Sequence, residues 1–388
     1  MKRTRHQSGY VFHQGGFWYV RYYDNVMNAE GEIERQQKCR KLVAYGSQYR
    51  TQRDVRSLAD ELLKPINDGT HTPESTMTVA DFIEKHYLPH VEQQKRRVST
   101  YRGYRNVWSR YLKTRTPIAL RDFRTFDGNR LLLDIARNES LSRRTLGHIK
   151  SMLSGVFTHA RRQGILNTPN PMRDVEIPKG KANSETHAYA LEEIMRMLAV
   201  LPQPVKAIVA AAAFTGARKG ELRGFLWENY DGEQISITQS VWRSHVGEPK
   251  TVTSKAPIPV IAPLKDFLEW HRIAAGNPAT GLMFPNSLGR PLNFDELAFR
   301  VIKPAFTKAG IAWHGWHAFR RGLATNLYRL GVKDKTIQAI LRHSNISLTM
   351  NIYVKSGTPD ARAAMQQLES FYATNMQRST KDNETVSQ

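Results

Sequence analysis

The 388-residue sequence predicts an α+β protein of several domains. Three observations predict this class. A run rich in aromatic and β-branched residues near the N-terminus is typical of strands, apolar residues at helical spacing dominate from residue 76 onward, and the stretch 234–260 has the pattern of a strand hairpin within a mainly helical segment. At roughly 150 residues per domain, the length suits two or three domains, each with its own core.

The first 66 residues predict a small module of three strands and one helix. Strands are expected at 10–12, 17–23 and about 37–43, with the tight turn Gly15-Gly16 between the first two. Apolar residues at helical spacing predict a helix over 51–64, which Pro65 is expected to end. The small, polar residues 67–75 predict a linker after it.

Residues 76–180 predict an all-helical domain. Thr78 is the expected N-cap of a first helix, and Ser99 or Thr100 the expected N-cap of a second. A third helix is expected from about residue 127, and the clearest apolar stripe predicts a fourth over 142–163. Prolines and glycines in 167–186 predict an interdomain linker.

Residues 187–375 predict a third domain of helices around the small antiparallel hairpin. It opens with a helix over about 191–201, and a second, strongly apolar helix is expected to end at Phe214. The polar C-terminal residues 376–388 predict a disordered tail.

The charge of the chain predicts a polyanionic partner. There are 57 Lys and Arg against 35 Asp and Glu, a formal net charge of +22, and residues 76–185 alone carry 21 basic and 10 acidic side chains. Such an excess on a folded chain favours nucleic acid, with an anionic membrane surface as the rival partner, and double-stranded DNA is the candidate that residues 76–185 would wrap. The longest apolar run, 207–214, is too short to span a bilayer, and no apolar segment of a secretory signal follows the basic N-terminus.

The single cysteine, Cys39, excludes an internal disulfide and a multi-cysteine zinc site. A reducing, cytoplasmic location is therefore expected. The sequence also lacks a phosphate-binding P-loop motif and an HExxH metal motif, so neither a metal nor another cofactor is expected.

Several motifs carry polar groups at chemically useful spacing. In Thr-Gly-Ala-Arg-Lys-Gly-Glu-Leu, 215–222, the glycine is expected to end one helix, and Arg218 and Glu221 then share a face of the next. His317 and Arg320 have the same spacing, and His343 follows an amphipathic helix. Taken singly, Arg218 with Glu221 is at least as typical of a surface ion pair, and His343 is more typical of a helix-terminal charge. Tyr353 alone is far more typical of a half-buried core tyrosine.

Taken in order, the motifs resemble the tyrosine recombinases, or phage-type integrases. Arg218, a lysine in a hairpin turn, His-x-x-Arg at 317–320, and His343 followed ten residues later by Tyr353 match that family's order and spacing. The resemblance implies a catalytic domain over 187–375 and a helical, SAM-like core-binding domain over 76–180. It also implies, more weakly, an arm-type DNA-binding module over 1–66.

The lysine has two candidates. Lys250 lies in a Pro-Lys-Thr context nine residues before Pro259, as in the family, and Lys255 lies where the family often has a structural basic residue. Lys250 is favoured as the catalytic lysine. Two positions depart from the family pattern, because Arg342 replaces the usual glycine before His343 and Ala318 replaces an often acidic residue.

The resemblance implies roles for these groups in metal-free cleavage of a phosphodiester. Arg218 and Arg320 would stabilise the charge of the pentacovalent transition state, and Tyr353 would be the nucleophile that forms a 3′-phosphotyrosyl bond. His317 would act as the base for Tyr353. Glu221 would orient Arg218 or His317.

Two further groups would complete the reaction. His343 would donate a hydrogen bond to the phosphate, and Lys250 would protonate the departing 5′-oxygen. The covalent intermediate keeps the energy of the phosphodiester, so that religation needs no ATP.

The expected function is therefore site-specific DNA recombination that integrates or excises a mobile element. The resemblance implies four protomers on two DNA sites, and accessory DNA-bending proteins are further candidate partners. Two alternatives stay open at this stage. One is a DNA-binding regulator that has lost catalysis, and the other is a resolvase- or topoisomerase-like enzyme with the same nucleophile.

Overall fold

The computed structural model describes residues 6–28, 30–94, 98–182, 186–248 and 256–342. The chain divides into two compact units, Met1–Ser184 and Glu185–Gln388. The division falls inside the stretch 167–186, which the sequence predicted as a linker. The fold is helical with small antiparallel sheets and an N-terminal sheet module, so the predicted α+β class is confirmed.

The first unit begins with a three-stranded antiparallel sheet. Its strands are β1 (Tyr10–Gln14), β2 (Phe17–Met27) and β3 (Ile33–Ala44), in that order across the sheet. Gly15 and Gly16 turn the chain between β1 and β2 with φ of 57° and 77°, values that favour glycine. Alternate residues of β2, including Trp18, Val20 and Tyr22, face a core that helix α1 (Arg56–Asn67) closes with Ala59 and Leu63.

Pro65 does not end α1, contrary to the sequence prediction, because the helix continues to Asn67. Proline removes one backbone donor from the helix. Its own carbonyl, however, accepts hydrogen bonds from the backbone N–H groups of Thr70 (2.9 Å) and His71 (3.0 Å), and Ile66 packs against the core. These contacts hold the last turn of the helix.

Among the described residues of the first unit, five α-helices follow α1. They are α2 (Val79–Phe82), α3 (Leu88–Gln93), α4 (Val98–Val107), α5 (Thr125–Asn138) and α6 (Arg143–Arg162), with wider π-helical turns at Ile83–Tyr87 and Trp108–Leu112. The predicted cap Thr78 accepts the backbone N–H of Asp81 (3.0 Å). Ser142, the first residue of the fourth predicted helix, is the cap of α6 and accepts the N–H of Thr145 (3.2 Å). Ser99 and Thr100 are not caps, since α4 already includes Val98 and both residues lie in its first turn.

A second, larger apolar core holds these helices together. The apolar stripe of α6 is fully buried in it, as the helical spacing of that segment predicted. The stripe consists of Leu146, Ile149, Leu153, Val156, Phe157 and Ala160. The sheet module is tied to this part of the unit by the ion pair of Arg121 with the buried Asp24, and by a 2.9 Å hydrogen bond from the Met27 N–H to Thr76 Oγ1.

The second unit is mainly helical. Its helices are α7 (Leu191–Val200), α8 (Val205–Thr215), α9 (Lys219–Leu222), α10 (Ala262–Ala274), α11 (Phe294–Leu297), α12 (Lys303–Lys308), α13 (Trp316–Arg329) and α14 (Asp334–Leu341), with a π-helical turn at Ala298–Ile302. Helix α8 is apolar on almost all sides and lies at the centre, packed by α7, α10 and α13. A helix with this composition is stable only when it is surrounded by protein.

Short antiparallel strands occupy the predicted hairpin region. Strand β4 (Gln234–Ile235) pairs with β7 (Ile258–Pro259), and between them β5 (Ser240–Trp242) pairs with β6 (His245–Gly247). Residues 249–255, which include Lys250 and Lys255, lie outside the described residues. The predicted tail 376–388 does so as well.

Candidate active site

The candidate site begins where α8 ends. Gly216 closes that helix in the left-handed conformation, with φ of 57°. A Cβ at this position would lie only 2.9 Å from Cδ2 of Leu323 and 3.0 Å from Cδ2 of Leu341, so glycine is required both by the backbone and by the packing. The turn is fixed further by Thr215 Oγ1, which accepts the N–H of Ala217 at 3.1 Å. It delivers Arg218 to the start of α9.

A buried carboxylate holds Arg218. Oε1 of Glu221 lies 2.6 Å from Nη1 of Arg218, and Oε2 accepts the backbone N–H of the same arginine at 3.0 Å. Glu221 is 2% exposed, whereas the Arg218 side chain is 33% exposed. The guanidinium is therefore anchored on the protein side and accessible on the other, which is the arrangement needed to contact a phosphate.

Arg320 is positioned by backbone carbonyls. It lies on α13, is 1% exposed, and donates to the carbonyl of Gly216 at 2.7 Å and to that of Leu341. Burial, the main cause, and the nearby charge of Arg218 lower the pKa of Arg320 to about 9. The side chain is still cationic at neutral pH, so a second guanidinium is held at the same turn.

His317 lies one helical turn before Arg320 on α13. Surrounding protein atoms and, after them, the charges of Arg320, Arg321 and Arg218 lower the pKa of His317 to about 4, although the residue is exposed to solvent. At neutral pH the imidazole is therefore uncharged and can accept a proton.

Arg342 adds a third guanidinium from the end of α14. Its backbone is left-handed, with φ of 54°, which explains why the family usually has glycine here. Nη2 of Arg342 lies 3.0 Å from Oε2 of Glu221, and the two side chains are 1% and 2% exposed. Glu221 thus bridges Arg218 and Arg342.

The structure brings together four of the seven residues that the sequence singled out. Arg218, Glu221, His317 and Arg320 meet around the turn after α8. Glu221 contacts Arg218, so of the two partners proposed for it this is the one that the described contacts favour. Lys250, His343 and Tyr353 lie outside the described residues.

Sequence reasoning missed two arginines near this site. Arg342 was noted only as a departure from the family pattern, and Arg321 was not singled out. The signal at Arg342 was a charged residue in a position that calls for a left-handed backbone. The signal at Arg321 was its place four residues after His317, since residues at that spacing are neighbours on one face of a helix.

The described residues offer no obvious metal site. Among them, no group of three or more His, Cys, Asp or Glu side chains is placed to hold a metal ion. No helix in the described ranges is both long and apolar enough to cross a membrane. Among the described residues, the guanidiniums of Arg218, Arg320 and Arg342 outnumber the single carboxylate of Glu221, a charge balance that suits an anion.

Comparison with known proteins agrees with that class of site. Residues 186–358 match the model of the phage integrase family. A XerC-like tyrosine recombinase of Caldanaerobacter subterraneus is 26% identical over 339 residues, covering 78% of this chain and 86% of the relative. An integrase of Streptomyces ambofaciens is 25% identical over 335 residues, covering 80% and 84%.

Solved structures share the fold. The integrase of the Tn1549 transposon, in complex with transposon right end DNA, has a TM-score of 0.62 at 19% identity, covering 76% of this chain and 99% of that one. A lambda integrase dimer bound to a COC′ core site has a TM-score of 0.59 at 16% identity, covering 92% and 98%. Residues 186–358 therefore carry a phage integrase family domain, and the chain as a whole is similar to tyrosine recombinases.

Proposed function

We propose that this protein is a site-specific DNA recombinase that cleaves and rejoins strands through a 3′-phosphotyrosyl intermediate. The observation that carries the proposal is the cluster of Arg218, Arg320 and Arg342 with the neutral His317 around one buried carboxylate, Glu221. An excess of positive charge at one turn suits an anion, and the match of residues 186–358 to the phage integrase family supports a DNA phosphodiester as that anion.

The two catalytic arginines have different supports. Arg218 is held by a carboxylate and is one-third exposed, so it can contact a non-bridging oxygen directly. Arg320 is fixed by two carbonyls of the surrounding turns. Both charges are in place before DNA binds, and such preorganised charge stabilises the pentacovalent transition state without reorganisation during the reaction.

His317 is proposed as the base that takes the phenolic proton of Tyr353. Its lowered pKa leaves it unprotonated in the free protein. A bound phosphate would bring negative charge among the guanidiniums, which raises the pKa of His317 and makes it a better proton acceptor when substrate is present. The base would therefore be strengthened by DNA binding itself.

The remaining roles rest on the sequence. Tyr353 would attack the phosphorus, Lys250 (with Lys255 as the alternative) would protonate the departing 5′-oxygen, and His343 would donate a hydrogen bond to the phosphate. Bond formation at Tyr353 and bond breaking at the 5′-oxygen balance, so the step consumes no metal, cofactor or ATP.

The first unit is proposed to bind DNA through two segments. Residues 76–180 would complete the grip on the core site, where much of the positive charge lies. In the sheet module, cations lie over rings on the exposed face, as with Arg21 over Phe12 (5.1 Å) and Arg35 over Tyr23 (4.4 Å). A basic face of this kind suits binding to arm-type DNA.

The catalytic segment is proposed to extend over residues 187–375.

The assembly is proposed to be a homotetramer on two DNA sites that integrates or excises a mobile element. Lambda integrase, with the same fold, has been solved as a tetramer bound to a Holliday junction. Accessory DNA-bending proteins would be further partners, and the protein would act in the cytoplasm. Exchange between two sites is what separates this function from relaxation of one duplex.

A covalent-adduct assay tests the proposed chemistry. The wild type and Tyr353→Phe are mixed, with chelator present, with nicked duplexes tiled across the DNA that flanks the gene of this protein. We expect denaturing gels to show DNA bonded to the wild type alone, because only that chain has the nucleophile. An adduct in the variant would contradict the choice of Tyr353, and tight binding without an adduct would favour a binding-only regulator.

A further inference from the structure

We propose that Arg342 is a positioning residue for this reaction: it fixes Glu221, and through Glu221 the guanidinium of Arg218. The inference rests on the recombinase function proposed above. It begins from an unusual residue choice, because the helix α14 ends in a left-handed conformation that a glycine adopts without strain and an arginine does not.

The arginine is unfavourable at this position in two ways. A left-handed backbone costs a non-glycine residue about 1 kcal/mol or more. The guanidinium is also buried, and among the described residues its Nε and Nη1 have no hydrogen-bond partner. A buried charge with unsatisfied donors is destabilising, so stability alone does not account for Arg342.

The contact that Arg342 makes instead divides the Glu221 carboxylate between two arginines. Oε1 accepts a hydrogen bond from Nη1 of Arg218 at 2.6 Å. Oε2 accepts one from Nη2 of Arg342 at 3.0 Å and one from the backbone N–H of Arg218 at 3.0 Å. Arg342 thus adds a second donor to Oε2, which restrains rotation of the carboxylate more firmly than the N–H of Arg218 alone. The guanidinium of Arg218 is then held in one orientation by an acceptor that is itself fixed.

Arg342 also links α14 to both predicted catalytic arginines. Its carbonyl lies 3.5 Å from Nη2 of Arg218, and the carbonyl of the preceding Leu341 accepts from Arg320. The side chain thus ties the end of α14 to α9, and the backbone beside it contacts both guanidiniums. Without Arg342, Oε2 would keep only the backbone N–H of Arg218 as a donor. The carboxylate of Glu221 could then rotate and pull the Arg218 guanidinium away from the phosphate.

A double-mutant cycle tests whether Arg342 acts through Glu221. The wild type, Arg342→Met, Glu221→Gln and the double variant are compared for DNA affinity and for single-turnover adduct formation on the nicked duplexes described above. We expect Arg342→Met to slow adduct formation about tenfold with little change in DNA affinity, because a misplaced catalytic group slows chemistry rather than binding. In the Glu221→Gln background the same change should cost less than about twofold.

Matched variants separate positioning from general damage. Lys335→Met removes an exposed cation from the same helix and should leave the adduct rate unchanged. Arg342→Lys keeps a cation for Glu221 and should retain much of the rate. If Arg342→Met does not fold, Arg342→Gly relieves the left-handed strain and takes its place. Fully additive losses in the cycle, or an unchanged rate in Arg342→Met, would overturn the proposal.

A second readout does not depend on catalysis. Side-chain ¹⁵N–¹H exchange of the Arg218 guanidinium is measured in the free protein, and Arg342→Met should accelerate it. If the wild type forms no adduct, the recombinase function fails, whereas faster exchange in the variant still supports the positioning contact. Unchanged exchange would contradict the contact even if the wild type forms an adduct.

Discussion

At the residue scale, the described side chains of the site place three guanidiniums around one carboxylate. Arg320, Arg342 and Glu221 are nearly fully buried, and the carboxylate is shared between Arg342 and Arg218. Removing charges from water costs several kcal/mol per ion unless partners compensate. A bound phosphate would supply the missing negative charge, so the site is better balanced with DNA than without it.

The pKa of His317 is a direct test of this charge distribution. NMR titration of the labelled imidazole in the free protein should give a midpoint near 4, below the ordinary value of 6.5. Since the folded-state pKa is lowered, the unfolded chain takes up this proton first as the pH falls. Stability associated with the neutral ring is therefore present above pH 6.5 and is lost as the pH falls toward 4.

A charge variant provides the control for that titration. Arg321→Gln removes one of the cations that lower the pKa of His317, so the midpoint should rise toward 6.5. A midpoint near 6.5 in the wild type, unmoved by this variant, would mean that the guanidiniums do not control the imidazole.

The residues of the site were predictable to different degrees. Arg218, His317 and Arg320 could be singled out because their motifs are local in sequence and occur in a recognisable order. The pairing of Arg342 with Glu221 could not, since 121 positions separate them and only the fold brings them together. The left-handed backbone that makes Arg342 notable is also a property of the folded helix end.

At the level of single elements, the C-terminal turn of α8 sets the geometry of the site. Gly216→Ala should destabilise the fold by about 2–4 kcal/mol, from left-handed strain and from overpacking against Leu323 and Leu341. It should also slow adduct formation, because the Gly216 carbonyl positions Arg320. Thermal unfolding and the adduct rate measure the two effects.

Gly310→Ala is the matched control for that substitution. Gly310 has a similar φ of 65°, but a Cβ there would meet no atom within 4 Å. It should therefore cost only the backbone strain, about 1 kcal/mol, and leave the adduct rate unchanged. Equal losses of stability and rate in the two variants would contradict a special role for the turn after α8.

The elements themselves were largely predictable from periodicity. The hairpin at Gly15-Gly16, the cap Ser142 and the stripe of α6 follow from short-range rules. The error at Pro65 has a physical cause. Local end signals are weak, and hydrogen bonds and packing beyond the helix, such as those to the Pro65 carbonyl, decide where it stops.

At the scale of the whole molecule, most of the chain has the same fold as integrases of known structure. The match to the lambda integrase dimer covers 92% of this chain, so it includes at least part of the first 66 residues. At 16% identity this similarity concerns the fold alone. The division of labour among the three predicted segments therefore stays a proposal, and so do tetramer formation and the choice of DNA site.

Strand exchange between two duplexes tests the central claim most directly. Two differently labelled duplexes, each carrying the site at which the adduct forms, are incubated with the wild type in chelator and without ATP. We predict recombinant joints at one defined position, absent with Tyr353→Phe, because the phosphotyrosyl bond keeps the energy for religation. Relaxation of a single supercoiled substrate without any joints, or binding without either product, would contradict a recombinase.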